Sequence, residues 1–131
     1  NDENAIWIVD NTFIIPNYLA ANGARTINTT NYYPNFELIN TIFGEEYASC
    51  ENIRKIYNRY AHIFINLTEE ESDINLIQMD TYKINLNLNK LKDLDVKYVY
   101  SIRELEQYNN LSINFEKVYY EDGCYIYKVT Y

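Results

Sequence analysis

The dipeptide Asp122-Gly123, set between two runs rich in β-branched and aromatic residues, narrows the fold more than any other feature. Both residue types tolerate the left-handed backbone that a two-residue hairpin loop requires. The pattern predicts an antiparallel hairpin with arms over 115–120 and 124–131, joined through Glu121-Asp122-Gly123.

The rest of the chain must supply a sheet for that hairpin to join. Ala5-Ile6-Trp7-Ile8-Val9 is a continuous apolar run ended by Asp10-Asn11, the pattern of a strand covered on both faces. Residues 61–67 read as another buried strand, 74–79 and 82–88 as two more, and 96–100 as a fifth. In 82–88, Ile84, Leu86 and Leu88 alternate with Lys83, Asn85 and Asn87, the period-two signature of a half-covered strand. A short strand is also predicted at 25–28.

Helical signals lie between these runs. Pro16 suits the first turn of a helix ending at Asn22-Gly23. Phe36, Ile39 and Phe43 fall at helical spacing before Gly44, and 50–60 carries Ile53, Ile56 and Tyr57 on one face with Arg54, Lys55 and Arg59 on the other. Short helices are predicted at 89–94 and 102–108, the second capped by Ser101. The expected fold is α/β: a mixed β-sheet with short flanking helices and a C-terminal β-hairpin. At 131 residues the chain is expected to form one domain around one core.

Composition limits the partners. Nineteen acids against 11 bases give a formal net charge of −8, which repels polyanions, so nucleic acid is not an expected partner. The Glu69-Glu70-Glu71 run reads as a solvated loop. No apolar stretch approaches the roughly 18–20 residues of a membrane span. The abundance of Asn, Ile, Tyr and Lys follows AT-rich codons and suggests a low-GC bacterium. The 15 tyrosines and the sequons at Asn28, Asn66 and Asn110 are therefore weak functional signals. The spacing of Cys50 and Cys124 fits no zinc or redox motif. Buried free thiols are expected, with a disulfide as the alternative for an extracytoplasmic chain.

Chemistry-bearing motifs are sparse. Gly23, Gly44 and Gly123 stand apart, so no glycine-rich loop could cradle a phosphate. The one histidine, His62, begins an apolar run without the companions a metal or a nucleophile requires. It reads as a hydrogen-bonded structural residue. No catalytic residue, metal ligand or cofactor is expected. A carboxylate pair or a Cys-His site in a small hydrolase remains open on sequence, since such pairs have no fixed spacing.

The polar segment 15–36 is dense in hydrogen-bonding side chains: Asn17, Asn22, Arg25, Thr26, Asn28 and Asn31. Such a loop on a rigid scaffold suits binding, although asparagines also satisfy their own turns. The stretch from Ile15-Pro16-Asn17-Tyr18-Leu19 through Asn28, continuing to Tyr33-Pro34-Asn35, resembles a segment near the C-terminus of large bacterial polytopic membrane proteins. These are similar to multi-spanning glycosyltransferases that use lipid-phosphate sugars, the YfhO-like group among them. Segments 57–63, 94–101 and 118–127 carry the same resemblance in order along the chain. It implies an extracytoplasmic domain at the cell membrane that follows a bundle of transmembrane helices, with the catalytic acid in loops outside this chain. The abrupt opening on Asn1-Asp2-Glu3-Asn4 has the look of a fragment.

The resemblance implies a non-catalytic accessory domain that contacts envelope glycan or covers the membrane-embedded site. Its partners would be the transmembrane part of the same parent chain and envelope glycan. The contact positions carried over are Asn17, Arg25, Asn28 and Asn31, with Arg59 and His62 in addition. A free-standing acidic interaction protein of the immunity or inhibitor type is the alternative, since complementary charge speeds association with a basic partner.

Overall fold

A computed structural model describes residues 5–12, 25–26, 41, 62–78 and 81–131. Among these residues the strands, in chain order, are β1 (Ile6–Asp10), β2 (Arg25–Thr26), β3 (His62–Thr68), β4 (Asp73–Gln78), β5 (Thr81–Asn87), β6 (Val96–Ser101), β7 (Asn114–Glu121) and β8 (Cys124–Thr130). A single helical turn, α1 (Lys90–Asp93), precedes β6, and a 3-10 turn covers Glu106–Tyr108. The chain divides into two compact units, one made of 1–27 and 95–131 and the other of 28–94.

In the first unit, β1 pairs in parallel with β2 on one side and with β6 on the other. Antiparallel β8 follows β6, and β7 pairs with β8. Strand alternation divides the side chains between two faces. On one face, buried Val9, Tyr100 and Ile126 pack together, with Trp7, Tyr98 and Cys124 against them. Trp7 and Tyr98 are register partners whose rings stack at 4.7 Å between centroids; such a pair contributes about 0.5–1.5 kcal/mol beyond area burial.

The other face holds Ile8, Val99, Tyr127, Val129 and Phe115, all buried, covered by Leu105 and Ile113 from the β6–β7 connection. Phe115 meets Tyr127 edge-on at 6.1 Å. That connection is pinned by side chains. Asn109 donates to the Phe115 carbonyl and accepts from its N–H at 2.6 Å, while Asn110 Oδ1 accepts from Ser112 and Ile113. The amide of the third sequon is thus engaged in its own turn.

The hairpin is built as its sequence predicts. Glu121 pairs with Cys124, so Asp122 and Gly123 form a two-residue loop, and both have positive φ, 50° and 79°, as a type I′ turn requires. Farther from the turn the register slips between Lys117 and Tyr119. The bulge leaves Val118 as the extra residue. It places Tyr120 on the same face as Phe115 and Lys117, although its number differs from theirs in parity.

In the second unit β3 lies parallel to β5, and β4 runs antiparallel along the other side of β5. Ile65, Leu67, Ile84, Leu86, Leu88 and Leu91 are buried, each removing roughly 1.5–3 kcal/mol of apolar exposure. Alternation turns Asn66, Asn85 and Asp73 to the opposite face. There Asn66 donates to Asn85 Oδ1, and both Asn85 and Asn75 donate to Asp73.

The mixed sheet and the hairpin are present, but the described residues are mostly β, so the α/β expectation with short flanking helices overstates the helix. The predicted helix at 89–94 is one turn long. That at 102–108 is absent apart from the 3-10 turn: Ser101 Oγ accepts from the Arg103 N–H as a cap would, but it also donates to Asp10, and the Arg103 side chain is drawn to the same carboxylate. Thr41 is helical, within the segment predicted before Gly44, whereas the helices predicted at 16–21 and 50–60 lie outside the described residues. Cys124 is a free, half-buried thiol; Cys50 lies outside the described residues.

A Cβ added at Gly123 would meet no atom within 4 Å, so only the positive φ opposes it. Gly123→Ala is expected to lower stability by about 1 kcal/mol in urea unfolding. A neutral result would contradict the assigned turn.

Candidate functional site

The face bearing Tyr127 carries polar chemistry toward the C-terminal ends of the parallel strands β1 and β6. Asp10, Ser101, Tyr125 and Tyr120 are successive register partners across β1, β6, β8 and β7. Asp10 and Ser101 are fully buried, Tyr125 is partly buried, and Tyr120 is 57% exposed. One cross-strand row therefore runs from a buried carboxylate to an exposed ring. The C-terminal ends of parallel strands are where open sheets place their ligand crevices.

Asp10 anchors the buried end. Its Oδ2 accepts from Ser101 Oγ at 2.6 Å and from Arg103 Nε at 2.9 Å, and its Oδ1 accepts from Arg103 Nη2 at 3.1 Å. This bidentate geometry suits guanidinium and carboxylate better than any other side-chain pair. The Asp10 hydrogen bond outweighs desolvation and raises the pKa of Arg103. Ser101 Oγ also accepts from the Arg103 backbone N–H at 3.1 Å. Arg103 extends over the Tyr108 ring, with Cζ 5.8 Å from its centroid.

That anchorage positions Glu104 and Glu106 beside the hairpin. Tyr127 Oη accepts from the Leu105 N–H at 3.2 Å and donates to Glu106 Oε1 at 2.9 Å. Burial pushes the Tyr127 phenol well above its ordinary range; the Leu105 bond opposes this, and the Glu106 charge adds to it. Lys117 Nζ lies 3.3 Å from Glu106 Oε1. Desolvation raises the Glu106 carboxyl, but bonds from Tyr127 and Lys117 outweigh it and hold the group below its usual value. The Tyr125 hydroxyl reaches Glu104 at 3.5 Å.

The rings form a column. Tyr120 stacks on Tyr125 at 4.8 Å and Tyr125 on Tyr127 at 6.0 Å. The Lys117 ammonium lies over Tyr125 at 4.8 Å and near Tyr120 at 5.8 Å, within cation–π range. The result is an exposed aromatic surface bordered by two carboxylates and one ammonium. Among the described residues no group of three or more His, Cys, Asp or Glu side chains could hold a metal ion. No helix among them is long and apolar enough to cross a membrane.

Two of the contact residues expected from the sequence fall on described strands. Arg25 opens β2 opposite Ile6, and His62 opens β3 opposite Thr81. Asn17, Asn28, Asn31 and Arg59 lie outside the described residues. The residues the sequence reading passed over are Asp10, Arg103, Glu104, Glu106, Lys117, Tyr120 and Tyr125. The turn held the available signal: a two-residue Asp-Gly loop sets Tyr120 opposite Tyr125.

Fold and site together define a mixed, mostly β-sheet protein with a tyrosine-rich face on its terminal hairpin. The chain belongs to the family described as a domain of unknown function, DUF7654, which it matches over residues 1–131. No curated protein and no solved structure matches it.

Removing Arg103 would leave the Asp10 carboxylate buried without its bidentate partner. Arg103→Ala is expected to lower stability by about 2–3 kcal/mol in urea unfolding, and Arg103→Lys to restore only part of that loss. The folded pKa of Glu106 is depressed, so its contribution is present above the unfolded value of about 4.3 and lost as pH falls through the lower folded value. Glu106→Gln should therefore flatten the acid limb of the stability profile below about pH 4.5, by roughly 0.5 kcal/mol for so exposed a group.

Proposed function

We propose that this chain is a non-catalytic, extracytoplasmic accessory domain of a bacterial membrane glycosyltransferase-like protein, and that it contacts envelope glycan through the tyrosine face of its hairpin. The observation that carries the binding role is the stack of exposed Tyr120 on partly buried Tyr125, beside Glu104 and Lys117. Sugar rings present C–H groups of partial positive charge, which pack on the negative face of an aromatic ring. Their hydroxyls take hydrogen bonds from an ammonium and give them to carboxylates. A hairpin locked by a type I′ turn holds these groups in place before a ligand arrives, which limits the ordering cost of binding.

The resemblance of the segments beginning at Ile15, Tyr57, Leu94 and Val118 supports the membrane-enzyme context. The committed geometry of Asp10 and Arg103 supports a scaffolding role over a catalytic one: the carboxylate is buried and turned to internal partners.

The test is a chemical-shift titration of the chain with envelope oligosaccharides. Shifts should centre on residues 104, 117, 120 and 125, and Tyr120→Ala should weaken binding about tenfold, or about 1.4 kcal/mol. Shifts that spare those residues for every oligosaccharide would overturn the glycan role. A parent polypeptide without several apolar segments of about 20 residues would overturn the membrane context.

A further inference from the structure

The charges around the tyrosine stack are unevenly balanced. Glu106 is engaged by both Tyr127 Oη and Lys117 Nζ, at 2.9 and 3.3 Å. Among the described residues Glu104 has no ion pair, and its one hydrogen bond is the long 3.5 Å contact from Tyr125. An exposed carboxylate with spare acceptor capacity thus borders the open aromatic surface. The chain already demonstrates what such a surface accepts: Lys117 places a primary ammonium 4.8 Å over Tyr125 and close to Glu106. Aromatic faces and a carboxylate are the two groups that together recognise an ammonium ion.

Building on the glycan-contacting reading, we propose that the glycan bound at this face carries free, protonated amino groups. A sugar ring stacks on Tyr120, and its ammonium takes the position beside Glu104 that Lys117 takes beside Glu106. Charge complementarity favours this ligand over an anionic glycan. The chain carries −8 overall, and the face contributes two carboxylates against one ammonium. A glycan with acetylated amines offers the same ring to Tyr120 but nothing to Glu104 beyond a neutral hydrogen bond, which is the weaker of the two.

The experiment compares two oligomers of one backbone, a glucosamine tetramer and its N-acetylated counterpart, by titration of the chain at pH about 6, where the amines are protonated. The glucosamine tetramer is expected to bind about tenfold more tightly. Its advantage should shrink as salt rises and disappear in Glu104→Gln, which can offer either tetramer only a neutral hydrogen bond. Equal or tighter binding of the acetylated tetramer overturns this inference and leaves the glycan reading standing. An advantage that survives in Glu104→Gln also overturns it. A lysine tetrapeptide that binds as tightly and with the same Glu104 dependence shows that the face reads charge on a peptide rather than a sugar, which again overturns it. Failure of both tetramers to bind removes the glycan reading together with the inference.

Discussion

A carboxylate with no solvent exposure must be satisfied from within, and the Asp10 side chain imposes that requirement on everything around it. An isolated buried charge is costly by several kcal/mol even after the protein relaxes. Ser101 and Arg103 meet the demand with three hydrogen bonds, two of them a bidentate fork. Meeting it fixes the path of the chain: β6 must end at Ser101, and the next residues must turn across the sheet face so that Arg103 can reach back. The connection then continues to Leu105, which is buried over that face, and delivers Glu106 to Tyr127 and Lys117. One buried charge thereby determines where two carboxylates meet the hairpin.

Polar groups grade outward along this face. At Asp10 a fully buried carboxylate is paired with a partly exposed guanidinium, at Tyr127 a buried hydroxyl bridges a backbone N–H and a carboxylate, and at Tyr120 a ring lies open to solvent. Burial at one end gives rigidity, and exposure at the other gives access. A recognition surface needs both, because groups held in place before binding lose less freedom when a ligand arrives.

Much of the β framework was legible from local pattern. The apolar run ending at Val9, the alternation of Ile84, Leu86 and Leu88, and the Asp-Gly turn each follow from side-chain periodicity or backbone sterics, and each is found. The run at 5–9 is less uniformly buried than its composition suggests, since Ile6 and Trp7 keep partial exposure. The helix expected at 102–108 failed for a non-local reason: its capping serine and its arginine answer to a carboxylate more than 90 positions earlier. Propensity is a weak prior against such a contact. The tyrosine face was hidden for two reasons. The 15 tyrosines spread along the chain mask a cluster at 120–127, and the bulge at Val118 breaks the alternation that would have assigned Lys117 and Tyr120 to one face.

The same bulge bears on how the molecule meets copies of itself. Among the described strands β7 is paired along one side only, with β8. An open strand edge is a template on which another chain can add. An extra residue at 118 twists the edge out of the flat geometry a second strand would need, and Glu116 and Lys117 set charges immediately before it. The irregularity that assembles the aromatic column thus also makes its outer border a poor place for fibre growth. A protein can then display exposed tyrosines on a terminal hairpin with less tendency to stack into a continuous sheet.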